Sequence, residues 1–196
     1  MSKTVDFYYD FGSPAAYLAW TQLPGMCERH GAEINYRPML LGGLFKAVGN
    51  NTPIAVKAKG AWMMDDIPRF AKRYGVPYAM NPHFILNTLT IMRGAVWAQS
   101  TGVIEPYNKA MYEAVWVNGR NMADVEEIIA VTSEAGLDAA AMGEAIQQPE
   151  IKQDLISNTQ EAAERGVFGA PTMFVGGVMH FGQDRLDWVE EALAQG

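Results

Sequence analysis

The sequence predicts an α/β domain divided by a large all-helical insertion, and three observations predict it. A strand, helix and strand open the chain, a strand, hairpin and helix close it, and the long stretch between them shows helical periodicity and helix stops with no strand signal. The expected boundaries are residues 1–39 and 167–196 for the α/β domain and 40–166 for the insertion.

Val5, Phe7 and Tyr9 alternate and Tyr8 is also apolar, so residues 4–9 read as a mostly buried strand. Gly12, Ser13 and Pro14 end it. Serine is a good helix N-cap and proline is favoured at the first helical position, so a helix is predicted from Pro14 towards Gly31, with Pro24 kinking or subdividing it. Glu33 to Pro38, where Ile34 and Tyr36 alternate with Asn35 and Arg37, reads as the second strand of a β-α-β unit. Helices are then predicted over Asp65–Tyr74, Asn87–Gln99, Glu105–Val117, Asp124–Ala135, Asp138–Gln147 and Glu150–Arg165, most of them stopped by a glycine or asparagine. Thr172–Val175, a Gly176-Gly177 turn and Val178–His180 form a hairpin, and a last helix runs from about Asp184 to Ala194.

Composition narrows the function classes. At 196 residues and 49% apolar the chain can bury a substantial core. Fifteen basic against 22 acidic residues give a net charge of −7 with no Lys/Arg run, which disfavours a nucleic-acid partner. The first residues run straight into a strand pattern without the apolar stretch of a signal peptide, and no segment offers the ~20 uninterrupted apolar residues of a membrane span; a cytoplasmic protein is expected. One cysteine, Cys27, excludes an intramolecular disulfide or CxxC redox pair, so thiol chemistry must borrow its thiol. His30, His83 and His180 have no metal-ligand spacing, and Gly42-Gly43 and Gly176-Gly177 lack the companions of a phosphate loop.

The candidate chemistry lies at Asp10-Phe11-Gly12-Ser13-Pro14, where strand becomes helix. A helix N-terminus offers unpaired N–H groups and partial positive charge, and it lowers the pKa of a thiol placed there. Ser13 read alone is either a plain N-cap or a hydroxyl facing such a sulfur. Gly169-Ala170-Pro171-Thr172, leading into Met173-Phe174-Val175, has the form of the cis-proline segment of a thioredoxin-type fold, whose backbone pairs with an incoming extended peptide. The competing reading of Pro171 is an ordinary trans proline opening an edge strand.

Five ordered segments, DFGSPAAYLAW (10–20), RPMLLGGLFKAVGNNTP (37–53), NTLTIMRGA (87–95), GVFGAPTMFV (166–175) and HFGQDRLDWVEEAL (180–193), resemble the 2-hydroxychromene-2-carboxylate isomerases. That family stands with the kappa-class glutathione transferases in the DsbA-like branch of the thioredoxin superfamily. The resemblance implies a thioredoxin-like fold, glutathione as cofactor, a small aromatic carboxylate as substrate, and a homodimer. The implied reaction is glutathione-dependent cis/trans isomerisation of 2-hydroxychromene-2-carboxylate to trans-o-hydroxybenzylidenepyruvate in naphthalene-type catabolism. It implies that Ser13 stabilises the glutathione thiolate and that Ala170, beside a cis Pro171, pairs with the cysteinyl unit. Gly182, Gln183 and Asp184, opening the last helix, would hold the γ-glutamyl end; kappa-class relatives tend to carry serine where Gln183 stands.

The same resemblance places Lys46 and Asn50 towards substrate or glutathione; Lys57, Lys59, Trp62 and Asn87 are candidate walls of the aromatic pocket, with surface charge, a core aromatic and a helix N-cap as the competing readings. The residues themselves also admit a solvated Lys46, a turn-forming Asn50 and a helix-capping Asp184 or Asn87. Two other functions share the frame: a kappa-class-like glutathione transferase or peroxidase, and a non-catalytic thioredoxin-fold binding module.

Overall fold

The computed structural model describes residues 3–195. Strand β1 (Lys3–Tyr9) leads through a turn into helix α1 (Pro14–His30), and β2 (Ala32–Pro38) returns parallel to β1, with Val5 opposite Ile34 and Phe7 opposite Tyr36. After the helical stretch, β3 (Thr172–Val175) pairs antiparallel with β1, placing Val5 opposite Val175, and β4 (Val178–Phe181) closes a hairpin on β3. The sheet order is β2-β1-β3-β4. With α1 and the last helix, α9 (Leu186–Gln195), this is the thioredoxin-like frame.

Among the described residues, seven α-helices lie between β2 and β3: α2 (Leu41–Val48), α3 (Lys57–Tyr74), α4 (Leu89–Ser100), α5 (Ile104–Trp116), α6 (Val125–Glu134), α7 (Ala139–Ala145) and α8 (Pro149–Glu164). Helix α2 is absent from the sequence prediction. Its opening residue Leu40 makes no side-chain cap and its first turn holds Gly42 and Gly43, so the usual start signal is missing. Helix α3 begins at Lys57, eight residues before the predicted Asp65. Gly60 lets its first turn pass close to the preceding segment, where a Cβ would come within 3.2 Å of the Ile54 backbone. Helix α1 runs unbroken through Pro24, which neither subdivides nor ends it: Leu18 and Leu23 before and Met26 and Cys27 after are all buried on one core. The last helix starts at Leu186, and Gln183–Arg185 form a separate 3-10 turn ahead of it.

The alternation in β1 decides how the layers pack. Phe7 and Tyr9 face one side, their rings stacked at 5.2 Å, and join α1, α4, α5 and α9 in the larger core. Tyr8 faces the other side and packs with Phe174, Met39, Leu44 and Ala162 beneath α2 and α8. The larger core runs without a break from the sheet into the helical stretch. Buried polar groups tie the two together: the Tyr9 hydroxyl donates to Asn108 Oδ1 (2.7 Å), and the Trp116 indole N–H donates to the Phe11 carbonyl (2.8 Å). The second bond fixes the loop that precedes Ser13. No helix among the described residues is long and apolar enough to cross a membrane.

Candidate active site

The turn after β1 is built by Asp10. Its carboxylate accepts from Gly12 N–H and from Leu41 N–H, both at 2.8 Å, while its own carbonyl accepts from Ser13 N–H at 3.0 Å. Asp10 is almost fully buried, and desolvation raises its pKa despite those two backbone bonds and a third from the Thr88 side chain. One carboxylate thus holds the turn before α1, the start of α2 and the residue preceding α4. Sequence reasoning missed this role, because partners 31 and 78 positions away leave no local signal.

Ser13 caps α1 in extended geometry (φ −99°, ψ 112°), its Oγ accepting from Ala16 N–H at 3.1 Å. The hydroxyl proton is used elsewhere: Ser13 O–H donates to the Ala170 carbonyl at 3.0 Å. The Ala170–Pro171 bond is cis. The cap is therefore also a bridge to the cis-proline segment, 157 residues further along the chain. Ser13 is only 6% exposed, and the Ala170 N–H has no hydrogen-bond partner among the described residues. A donor left free beside a carbonyl held by a single hydroxyl is an edge ready for an extended peptide.

These groups line a cavity of about 400 Å³ that also takes in Asn50, Lys59, Trp62, Pro171 and the Gly182-Gln183-Asp184 segment. Nine expected site residues, Ser13, Asn50, Lys59, Trp62, Ala170, Pro171, Gly182, Gln183 and Asp184, meet in this one cavity. Several are held by local chemistry. The Asn50 amide donates to the Phe168 carbonyl (2.8 Å), so it props the cis-proline loop from the end of α2. Gly182 N–H donates to the Pro171 carbonyl (3.0 Å), and its φ of 99° together with Asp184 Oδ1 2.5 Å from any added Cβ requires glycine. The Gln183 carbonyl accepts from the Tyr74 hydroxyl (2.6 Å), and Asp184 pairs with Arg185 at 2.8 Å.

The other three expected residues lie elsewhere. Lys46 points away from Ser13: α2 presents Leu41 and Phe45 to the Ser13 cavity, and Gly43, Lys46 and Ala47 to a second one. Lys57 and Asn87 line neither cavity. Asn87 Oδ1 accepts from Leu89 N–H (3.0 Å) just ahead of α4. The cation that does line the Ser13 cavity is Lys59, beside Trp62, which is 61% exposed.

The chain's own thiol takes no part in this arrangement. Cys27 is buried in α1 and absent from the cavity lining, and burial pushes its pKa up to about 11. At pH 8 only about one molecule in a thousand would carry the thiolate. Native protein should therefore react with a disulfide reagent far more slowly than unfolded protein, and Cys27→Ala should leave turnover unchanged; fast native labelling, read by absorbance, would contradict this.

A four-stranded sheet with a cis proline facing the N-terminus of its first helix defines the thioredoxin class. A model of the DSBA-like thioredoxin domain matches residues 4–194. The chain is 36% identical over 195 residues to a 2-hydroxychromene-2-carboxylate isomerase from Sphingobium xenophagum, covering 98% of this chain and 99% of that one. It is 27% identical over 209 residues to glutathione S-transferase kappa 1 from Homo sapiens, covering 100% and 92%. The solved structure of a 2-hydroxychromene-2-carboxylate isomerase superposes with a TM-score of 0.89 at 30% identity, covering 98% and 95%. The chain belongs to the 2-hydroxychromene-2-carboxylate isomerase family of DSBA-like thioredoxin-domain proteins, and it is an isomerase.

Proposed function

We propose that this isomerase uses glutathione to interconvert the ring-opened form of 2-hydroxychromene-2-carboxylate and trans-o-hydroxybenzylidenepyruvate. The observation that carries the reading is the Ser13 hydroxyl, poised between the α1 N-terminus and the Ala170 carbonyl. The residues fit glutathione: the free Ala170 N–H and the adjacent carbonyl match the two backbone groups of a cysteinyl residue, and Asp184 supplies the carboxylate that an ammonium requires. When bound, glutathione supplies a thiolate that adds reversibly to the electrophilic carbon of the enone, making the double bond single long enough to rotate.

The protein's part is to hold that thiolate and orient the enone. As a cysteinyl N–H takes over the Ala170 carbonyl, the Ser13 O–H is released to donate to the sulfur, where the α1 N–H groups and helix field also favour negative charge. Lys59 is the cavity cation for the substrate carboxylate or its developing enolate oxygen, and Trp62 is an aromatic wall for its ring. The test is ultraviolet-monitored turnover of the chromene carboxylate with and without glutathione, together with titration of glutathione itself. The reading expects saturable binding and thiol-dependent turnover. Isomerisation at full rate without glutathione would sink it, and conjugation of an aryl halide without isomerisation would favour the transferase reading.

A further inference from the structure

The second cavity, about 530 Å³, lies between α2, α4 and α8 and shares no lining residue with the Ser13 cavity. Its walls include Leu89, Leu155 and Ile156. Its charged lining is of one sign, with Lys46 from α2, Arg93 from α4 and Lys152 from α8, and no carboxylate lines it. Among the described residues none of these three cations forms an ion pair, although the chain carries a net charge of −7. Three unpaired cations converging from three helices onto an apolar hollow focus a positive field there. Arg93 Nε is in addition buried without a hydrogen-bond partner, a donor left without an acceptor in the protein. Thr159 does not answer it: its hydroxyl accepts from Leu40 N–H (3.0 Å) and donates to the Leu155 carbonyl (2.7 Å), so it fixes the wall.

We propose that this cavity is a second ligand site, for an aromatic carboxylate of one or two fused rings. The carboxylate would sit on Arg93 flanked by Lys46 and Lys152, with the ring against Leu89, Leu155 and Ile156. A guanidinium fork matches a carboxylate, and an apolar hollow of this volume has room for one or two fused rings. The inference does not depend on the isomerase reading, because no residue of the Ser13 cavity takes part.

The test is isothermal titration of the full chain with 2-naphthoate, with naphthalene-2-carboxamide and inorganic phosphate as comparison ligands. 2-Naphthoate should bind with salt-sensitive affinity, at least ten-fold tighter than the carboxamide and than phosphate. Arg93→Gln and Lys152→Glu should each weaken it at least ten-fold, and when the titration is repeated in Lys59→Glu, which removes the cation of the Ser13 cavity, the naphthoate binding that Lys152→Glu weakens should persist. Lys152 is only partly buried, so its variant carries the test even where Arg93→Gln fails to fold. Absence of binding, phosphate binding as tightly as naphthoate, indifference to Lys152→Glu, or loss of binding in Lys59→Glu would each overturn the proposal.

Discussion

Ser13→Ala should reduce glutathione-dependent turnover by roughly ten-fold to a thousand-fold, about the effect of removing one directed donor from a developing or bound anion. The substitution removes three things at once. The α1 cap from Oγ to Ala16 N–H is lost, which costs about 1 kcal/mol of stability. The bridge to the Ala170 carbonyl is lost, so the cis-proline segment loses its side-chain tie to the first helix. The donor to the sulfur is lost too, and only this loss affects the reaction beyond binding. A thermal melt, a glutathione titration and the pH profile of turnover separate them. The thiol pKa of bound glutathione, read from thiolate absorbance near 240 nm, should rise in the variant. An unchanged thiol pKa with unchanged turnover would return Ser13 to being a helix cap and nothing more.

Asp10→Asn should separate folding from activity even more sharply. Asparagine offers one acceptor oxygen where the carboxylate offers two, so it cannot accept from both Gly12 N–H and Leu41 N–H; one of them would face an amide N–H₂ instead. A donor stranded in this way costs about 1–3 kcal/mol, and expressed as displacement of the Ser13 turn or of α2 that is about a ten- to hundred-fold loss of turnover. Stability should move the other way with pH. Burial raises the folded-state pKa of Asp10, so whatever stability its proton confers is fully present below the ordinary carboxylate range and is lost as pH rises through the elevated value. Asp10→Asn has no such titration, so the stability difference between wild type and variant, read from denaturant melts, should shift in the variant's favour as pH rises through the elevated value. A variant that is fully active, or whose stability parallels wild type at every pH, would refute Asp10 as a positioning residue whose pKa burial has raised.

The same residues show what a sequence can disclose. The frame was legible wherever local chemistry writes it down: the alternation of Val5, Phe7 and Tyr9, the Gly-Ser-Pro stop, and the Gly176-Gly177 turn all occur where expected. The meeting of Ser13 with Ala170 was legible because two distant motifs had to face each other in one fold. Helix α2 was not, since apolar residues around paired glycines carry no start signal. With α2 unseen, its rotation was unseen too, and that rotation decides that Phe45 faces the Ser13 cavity while Lys46 faces away. Asp10 was hidden for a different reason: a buried carboxylate is recognised by the N–H groups it serves, and tertiary structure alone brings Leu41 and Thr88 to it.

The long indole bond from Trp116 to Phe11 belongs to a pattern with a kinetic meaning. The turn that carries Ser13 is held from position 41 by Asp10, from position 116 by Phe11 and from position 170 by Ser13 itself. Every one of those ties closes a loop of more than thirty residues, and the entropy of such closures is met only when most of the chain has already condensed. The cleft thus acquires its shape only once segments around positions 10, 41, 116 and 170 have come together. Recovered turnover would therefore trail recovered helical signal during refolding and serve as a reporter of completed folding.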